Sequence, residues 1–385
     1  MTAPGKRVSF VELYLDVIFV LAVGQLSHLI VAKPETHSVW IALGLFFTLW
    51  WTWVGFAVLY NRQGADQRSQ RLLFLIGSVP TGVAAVAIAP AAVGNTTAFA
   101  LSLCLVRLVL AGAHAANGGW RSAMQHRITL AYLVSAGLFA ISIAVPEPWR
   151  YVLWFAGIGI ESGAVLNEDR RAANRGRRDH DLKAFTPSDP AEALDSHHFA
   201  ERFGLFLIIL LGEVVVEAGQ ASVDGHVATA GGWAALVAAM ILTAALWWLY
   251  FDAAAEINLK VLELSGGSPT IAKAIFAVGH MLPSFALLMI AAGVGLLLEE
   301  DPPRIAYWLP CLGLAIYLLG TRVFMVSTTR LGRVARVFLL VLIFQLGRFH
   351  DTLSPHEYLW LITGLTVLCA ALSNRKPDPE PAEVY

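Results

Sequence analysis

The sequence predicts an all-α polytopic membrane protein with about twelve transmembrane helices, arranged as two parallel six-helix repeats. Hydrophobic residues make up 57% of the 385 residues and charged residues only 14%, and the mean hydropathy is +0.63. Soluble domains are about 45–50% apolar and about 25% charged. Two further observations support the prediction: many apolar windows are long enough to cross a bilayer, and short motifs recur in the same order in both halves.

The first apolar run, residues 8–31, is long enough to cross the membrane but carries two acids near its start. At about 1.5 Å per residue it reaches roughly 36 Å, against a hydrocarbon core of about 30 Å. Glu12 and Asp16 lie four residues apart and therefore share one helix face. Each ionisable group near the centre of a span costs on the order of 2.5–3.5 kcal/mol. We therefore expect this face to point into the protein, and we do not interpret the run as a signal peptide.

Apolar windows bounded by charged or Gly/Pro-rich turns predict the remaining helices in order. Their lengths match membrane spans except for the eleventh, whose apolar core is short. The predicted spans are 9–31, 39–60, 71–92, 96–117, 128–146, 148–166, 198–219, 229–252, 270–298, 304–327, 334–348 and 357–373.

The distribution of basic residues predicts the orientation of these spans, because cytoplasmic loops are enriched in Lys and Arg. With the N-terminus inside, 20 of the 27 Lys and Arg residues fall in inside segments and 4 in outside loops. We therefore predict that both termini are cytoplasmic.

A polar connector, 167–197, separates the two predicted repeats, 1–166 and 198–373. Its basic cluster is a candidate site for anionic lipid head groups, although a solvated cytoplasmic connector that enforces orientation is the simpler interpretation. The tail, 374–385, is charged and Pro-rich and is predicted to be disordered. The arginines of the cluster are Arg170, Arg171, Arg175, Arg177 and Arg178.

The end of the connector carries the signature of a helix start. Asp189 is followed by Pro190 and then by Glu192, which is the order of a capping Asp, a first-turn Pro and a third-position acid. We expect a short helix here, leading into the seventh span.

Four cues recur in the same order in the two halves. Because each half holds six predicted spans, both halves enter the membrane from the same side, which predicts a pseudo-two-fold axis along the membrane normal. The paired cues are Phe10-Val-Glu12-Leu-Tyr14 with Phe199-Ala-Glu201-Arg-Phe203, Leu49-Trp50-Trp51 with Leu246-Trp247-Trp248, Gly77 and Pro80 with His280 and Pro283, and Arg107 with Arg322.

These motifs resemble those of the bacterial low temperature requirement A (LtrA) family. The stretch VSFVELYLDVIFVLAVGQLSHL is followed by HFAERFGLFLIILLGE, LWWLYFD and HMLP, and the likeness covers about residues 8–373. Leu15 departs from the pattern, since the family usually places an aromatic residue before the acid, but Asp16 is retained. The resemblance implies a multipass protein of the bacterial inner membrane, named for a cold-growth phenotype and without an agreed biochemical activity.

Polar and ionisable residues inside the predicted spans are the candidates for a transport path or a polar network. For Glu201 and Arg202, near the cytoplasmic end of a span, we favour a structural role, in which charged residues pair with one another and hold helices together, and both side chains can also extend to the head-group region. For Asp16 and Glu213 we favour a functional role over salt bridges with Arg107, Arg202 or Arg322. The full set is Glu12, Asp16, Gln25, His28, Arg107, Glu201, Arg202, Glu213, Glu217, Asp252, His280 and Arg322.

Three classes of function remain open. The favoured class is a transporter or channel for protons, cations or a small solute, since acids are expected at several depths. The alternative is a non-transporting membrane factor that senses or organises lipid during cold adaptation. A membrane enzyme ranks last and is not expected, because the sequence contains no Gly-x-Ser-x-Gly and no His-Glu-x-x-His.

No cofactor and no metal are expected, because the three cysteines and the histidines lack metal-ligand spacing. The net charge of −1 argues against a nucleic-acid partner. The expected partners are membrane lipids and a small ion or solute, and the oligomeric state is left open, with a homo-oligomer among the alternatives.

Overall fold

In the computed structural model, the residues that are described are 8–64, 68–116, 123–165, 174, 178, 181–221, 230–321 and 330–373. This part of the chain is helical and contains no strand. Its α-helices are α1 (Phe10–Ala32), α2 (Thr36–Gln63), α3 (Arg68–Val86), α4 (Ile88–Ala92), α5 (Thr97–Ala116), α6 (Ala123–Ser142), α7 (Trp149–Val165), α8 (Ser196–Ala221), α9 (Ala230–Leu249), α10 (Ala255–Leu264), α11 (Pro269–Ala272), α12 (Met281–Leu297), α13 (Arg304–Gly320), α14 (Arg330–Leu346) and α15 (Pro355–Ser373).

Five helical stretches in the described ranges are long and apolar enough to cross a membrane, and this supports the predicted class of membrane protein. Three shorter apolar helices lie at Gln70–Val86, Arg304–Gly320 and Val337–Phe349. The total of twelve spans therefore stays a prediction. The five long stretches are Phe10–Ala32, Thr36–Gln63, Thr97–Ala116, Gly231–Leu264 and Pro269–Leu297.

The chain forms two compact units. The first contains the described residues of Met1–Ile30, His37–Phe206 and Asn258–Met281, and the second contains those of Val31–Thr36, Leu207–Ile257 and Leu282–Tyr385. These units divide the chain differently from the two predicted repeats, since the first residues of α8 belong to the first unit. The repeat itself stays a prediction.

The first helix begins close to its predicted position because its own acid caps it. The backbone N–H of Ser9 donates to Glu12 Oε2 at 3.0 Å, which satisfies one of the donors that a helix start leaves unpaired. The helix then runs from Phe10 to Ala32, against a predicted span of 9–31. Glu12 therefore stabilises the start of α1, whatever other role it has.

The third predicted span, 71–92, is interrupted in the structure. Helix α3 ends at Val86 and α4 begins at Ile88. Pro90 has no N–H and cannot donate to the carbonyl four residues earlier, which is that of Val86. The missing hydrogen bond explains the break. The sequence prediction did not include it, because the whole window is apolar.

The predicted short helix at Asp189 is a single 3₁₀ turn, Pro190–Glu192. Asp189 does act as its cap, accepting a hydrogen bond from the backbone N–H of Ala191 at 2.9 Å. The cap and the short helix were thus predicted correctly, and the helix is of the 3₁₀ type. Helix α8 begins only at Ser196, after Asp195 accepts a hydrogen bond from the backbone N–H of His198 at 3.0 Å.

Helix packing in the first unit brings α5 against α3 and α6, and α6 against α7. The long helix α2 carries large aromatic side chains that are almost completely buried, among them Trp50 and Trp53. The indole N–H of Trp50 donates to the carbonyl of Ala277 at 2.7 Å, in the π-helical turn Lys273–Val278. The core of this unit is therefore built around α2.

In the second unit, α12 is the most deeply buried helix, since every residue from Pro283 to Leu297 is buried. Helix α9 packs against α15, and α14 packs against α13 and α15. The hydroxyl of Tyr317 donates to the carbonyl of Leu246 at 3.0 Å and ties α13 to α9. A side chain that faces α12 therefore lies in an apolar interior.

Candidate functional site

Asp16 lies on the buried face of α1, where Arg202 of α8 binds it with two hydrogen bonds. Arg202 Nη1 donates to Oδ2 at 2.5 Å and Nη2 donates to Oδ1 at 2.8 Å. The indole N–H of Trp53 donates to Oδ1 at 2.9 Å. Both charged side chains are 1% exposed. The two residues form a desolvated, bidentate ion pair of the strong kind.

Glu12, one turn before Asp16, extends this pair into a cluster. Its Oε2 atom accepts from Ser9 N–H at 3.0 Å and lies 3.2 Å from His198 Nε2. Its Oε1 atom lies 3.3 Å from Arg202 Nε, an ion-pair distance without hydrogen-bond geometry. One guanidinium therefore faces two carboxylates in the buried interior of the first unit.

Asn61 determines which nitrogen of His198 carries the proton. Asn61 Oδ1 accepts from the N–H of Asp195 at 3.0 Å, and Nδ2 donates to the Asp195 carbonyl at 2.9 Å. These two bonds orient the amide, so that Nδ2 also donates to His198 Nδ1 at 3.1 Å. His198 is then neutral, with its proton on Nε2 and directed at Glu12. The cluster thus contains one more carboxylate than it has cations.

We name the set of Glu12, Asp16, Trp53, Asn61, His198 and Arg202 the Asp16 cluster. Arg202, for which a structural pairing was favoured, is buried against Asp16, whereas its neighbour Glu201 is exposed. Successive helix positions differ by about 100°, so adjacent residues face different surroundings. Arg107 was proposed as a partner of Asp16 and lies elsewhere.

Arg107 is the centre of a second buried cluster in the first unit. Its Nη2 donates to Glu161 Oε1 at 2.9 Å, and its other nitrogens donate to Thr52 Oγ1 at 3.2 Å and Ser135 Oγ at 3.3 Å. The guanidinium also lies over the ring of Phe139, 4.3 Å from the centroid. This cation is compensated by one carboxylate and an aromatic face.

The second oxygen of Glu161 faces a small cavity. Neither Glu161 Oε2 nor the indole nitrogen of Trp51 has a hydrogen-bond partner among the described residues. Both residues line a cavity of about 10 Å³, and a single water occupies about 10–15 Å³ by this measure. Such a water can accept from Trp51 and donate to Glu161.

The second unit contains a different arrangement, which we name the acid pair. Glu213 and Glu217 lie one turn apart on α8, and each is 4% exposed. Among the described residues no Lys, Arg or His forms an ion pair with either carboxylate. Glu217 Oε1 has no hydrogen-bond partner there. A Cβ atom placed on Gly295 of α12 would lie 3.0 Å from Glu217 Oε2, so this carboxylate packs against the buried helix.

The other candidate residues do not join these clusters. Gln25 is half-buried on α1, and His28 and Asp252 are exposed. His280 is buried, and its Nδ1 donates to a backbone carbonyl of the preceding turn at 2.8 Å. Arg322 lies outside the described residues.

The basic connector is described only at a few positions. Arg178 is exposed. The tail, 374–385, and the remaining connector arginines lie outside the described residues. These arginines are Arg170, Arg171, Arg175 and Arg177. Their assignment to lipid head groups stays a prediction.

Sequence reasoning missed seven residues of the two clusters in the first unit: His198, Asn61, Trp53, Glu161, Thr52, Ser135 and Phe139. Glu161 carried a usable signal, because it is an acid inside the predicted span 148–166. His198 directly precedes the Phe-Ala-Glu-Arg motif and lay at the predicted start of a span. Trp53 and Asn61 carried no signal, since neither residue type is unusual near the membrane.

Within the described ranges no three His, Cys, Asp or Glu side chains are grouped so as to hold a metal ion. The cysteines Cys104, Cys311 and Cys369 are buried and form no disulfide within the described part of the chain. Cys311 Sγ forms a hydrogen bond with the hydroxyl of Tyr358 at 2.7 Å, within the second unit.

The fold and these clusters define a helical membrane protein with buried, networked charges. The chain belongs to the bacterial low temperature requirement A protein (LtrA) family, whose match covers residues 7–372. This confirms the resemblance that the motifs indicated. An uncharacterized protein of Rhizobium meliloti (strain 1021), RA0937, is 26% identical over 300 residues, which is 74% of this chain and 68% of that protein. No solved structure matches the chain.

Proposed function

We propose that this protein moves protons or a small cation across the bacterial inner membrane, and that the acid pair, Glu213 and Glu217, is the site that binds them. The observation that carries the proposal is the burial of both carboxylates without a basic partner among the described residues. Intramembrane ionisable groups are functional candidates by default. The acid pair has the stronger claim because its charge is not already balanced.

Charge balance explains why the acid pair suits transport. Two carboxylates one turn apart repel each other, and an apolar interior screens this repulsion poorly. Glu217 packs against Gly295 in the stretch of α12 that is buried throughout, Pro283 to Leu297, so neither bulk water nor lipid head groups surround it. A proton or a small cation that enters from solution supplies the missing positive charge, and its departure restores the repulsion. Reversible binding of this kind is what a transport site requires.

The Asp16 cluster has a different role in this proposal. Asp16 is satisfied by Arg202 and Trp53, so it has no free capacity for a transported cation. We assign it to holding α1 and α8 together in the first unit. The excess carboxylate of the cluster lies at Glu12, where a proton can be shared with His198 Nε2.

The proposal is tested by flux in proteoliposomes that contain the purified full-length protein. Proton entry is followed with a trapped pH-sensitive dye, and potassium and sodium entry with ion-selective dyes, under an imposed gradient. We expect flux of at least one of these ions above that of empty liposomes, and loss of that flux in Glu213→Gln/Glu217→Gln.

Glu201→Gln is the matched control, because Glu201 lies on the same helix and is exposed. Its flux should equal that of the wild type. Wild-type flux no greater than that of empty liposomes for all three ions would overturn the proposal, as would full activity in the double variant.

A second candidate function is a membrane factor that organises or senses lipid without transport. The observation that favours it is the pairing of Asp16 with Arg202 and of Glu161 with Arg107, which is the pattern of a structural network. This candidate predicts no flux, but a thermal stability in nanodiscs that changes with lipid composition. Neither candidate function includes a catalytic step.

We also propose the orientation that the basic residues indicate, with both termini and the connector cytoplasmic. The three native cysteines are buried, so an introduced cysteine can be labelled selectively. Ser188→Cys should resist a membrane-impermeant maleimide in intact cells, and Asp301→Cys should react. The opposite result would reverse the orientation.

A further inference from the structure

The first unit contains a cavity of about 520 Å³ that opens at the surface and reaches the core. It lies between the first half of α2, the turn after α4 and the start of α7. Trp40 on its wall is 66% exposed and Trp154 is 2% exposed, so the cavity extends from the surface into the interior. Sites for small molecules commonly measure about 300–1,000 Å³.

Aromatic residues and glycine shape this cavity. Trp40, Tyr151, Trp154 and Phe155 contribute to its walls. Gly44 lies on the α2 wall, where a Cβ atom would meet no atom within 4 Å. A glycine inside a helix costs about 1 kcal/mol relative to alanine. Packing does not require this glycine, and its effect is to leave space in the cavity.

The cavity wall is also held in place before any ligand binds. Arg150 Nη1 donates to the carbonyl of Gly94 at 3.1 Å and to Thr96 Oγ1 at 2.9 Å, and Nε donates to the carbonyl of Val145 at 3.1 Å. These bonds fix the turn after α4 against the start of α7. Arg150 itself does not line the cavity.

The wall carries one carboxylate among the described residues. Glu147 lines the cavity, and no Lys or Arg does so among the described residues. Glu147 Oε1 accepts from the hydroxyl of Tyr151 at 2.9 Å. Arg150 Nη1 lies 3.7 Å from the same oxygen but donates its hydrogen bonds to other groups, so the carboxylate keeps acceptor capacity. His37 and Tyr151 are the other ionisable residues on the wall, and His37 is exposed.

We propose that this cavity binds a small organic cation, in which an ammonium group is carried on an apolar body. Aromatic rings attract cations through their π faces, the apolar wall suits the body of the ligand, and Glu147 supplies the opposite charge. A neutral apolar ligand or a lipid chain would gain nothing from Glu147. The inference stands independently of ion transport by the acid pair.

The test uses purified full-length protein in a maltoside detergent, whose head group carries no ammonium. Binding of benzyltrimethylammonium is measured by tryptophan fluorescence and by calorimetry, beside its neutral carbon isostere neopentylbenzene. We expect the cation to bind more tightly than the isostere. Glu147→Gln should weaken the affinity for the cation about fivefold or more, which is the effect of losing one ion pair of about 1 kcal/mol. The affinity for the isostere should not change.

Gly44→Leu places a branched side chain in the cavity and should weaken binding of both compounds. Gly159→Leu is its matched control, since a Cβ atom on this exposed glycine of α7 also meets no atom within 4 Å, and binding should persist. If Gly44→Leu does not fold, the Glu147→Gln comparison decides alone. Equal affinities for the two compounds, or a cation affinity unchanged by Glu147→Gln, would identify an apolar or lipid pocket and overturn the inference. Absence of cation binding to the wild type would overturn it as well.

Discussion

Two pairs of acids have the same spacing and different surroundings. Glu12 and Asp16 lie one turn apart on α1, as Glu213 and Glu217 do on α8, and all four are at most 4% exposed. The first pair faces Arg202, His198 and Trp53, whereas the second has no basic partner among the described residues. Equal spacing in the sequence therefore does not imply an equal role.

The difference has an energetic meaning. A buried ion pair contributes little net stability, because the attraction mostly offsets desolvation, but removing one partner leaves a costly buried charge. An acid without a basic partner has the opposite behaviour, since neutralising it removes a repulsion and a desolvation cost. Substitutions that remove charge should accordingly harm the first pair and spare the second.

The largest effect is expected for Asp16→Asn. The amide nitrogen would point a donor at Arg202, whose buried charge would keep only the Glu12 carboxylate at 3.3 Å, without hydrogen-bond geometry. The variant should therefore lose about 3 kcal/mol of stability. Thermal unfolding in detergent measures this loss. The sequence argument favoured a functional Asp16, for which the same variant would fold normally and lose flux. The bidentate bond to Arg202 makes us expect the structural outcome instead.

Asp16→Asn/Arg202→Gln serves as the control for this mechanism. Removing both charges should recover part of the lost stability, because no guanidinium is left buried without its bidentate partner, while Glu12 keeps its contacts with Ser9 and His198. A double variant that is no more stable than the single variant would contradict the assignment of Arg202 as the compensating partner.

A smaller loss is expected for Asn61→Ala. The variant removes the groups that bond Asp195 and His198, and leaving buried polar groups unpaired costs about 1–3 kcal/mol. Unfolding measurements should show this loss. Asn61→Asp should also be destabilised, because a carboxylate cannot donate to His198 Nδ1. A neutral effect of both changes would argue against the neutral tautomer of His198.

Gly295→Ala should disturb the acid pair but change the free energy of unfolding by less than about 1 kcal/mol. The stability changes little because the gain in helix propensity offsets the cost of a close contact. The new Cβ atom would lie 3.0 Å from Glu217 Oε2, so the carboxylate must shift. We expect altered ion flux in proteoliposomes. Gly219→Ala on α8, where a Cβ atom meets no atom within 4 Å, should leave flux unchanged.

The smallest effect on stability is expected for Glu213→Gln/Glu217→Gln. Because no described basic residue pairs with these acids, their neutralisation strands no charge, and stability should stay within about 1 kcal/mol of the wild type or rise slightly. Thermal unfolding in detergent provides the comparison with Asp16→Asn. A loss of several kcal/mol would reveal a basic partner and make the two acid pairs alike.

The amino-acid sequence by itself determined the properties that depend on neighbours along the chain. The apolar run around Asp16 predicted α1 to within a residue at each end, and the spacing of Glu12 and Asp16 placed both on one buried face. Asp189 was correctly assigned as a cap, and the motifs were sufficient to indicate the family. Helix geometry relates residues three and four apart regardless of the rest of the fold.

Only the tertiary structure decided which charges meet. Arg107, Arg202 and Arg322 were equivalent partners for Asp16 in the sequence, and the choice of Arg202 joins residues 186 positions apart. The partnership of Arg107 with Glu161 and the cavity beside Glu147 depend likewise on helices that are distant in the chain. Ion pairing acts over a few ångströms in space, and a linear pattern of charges contains no information about those distances.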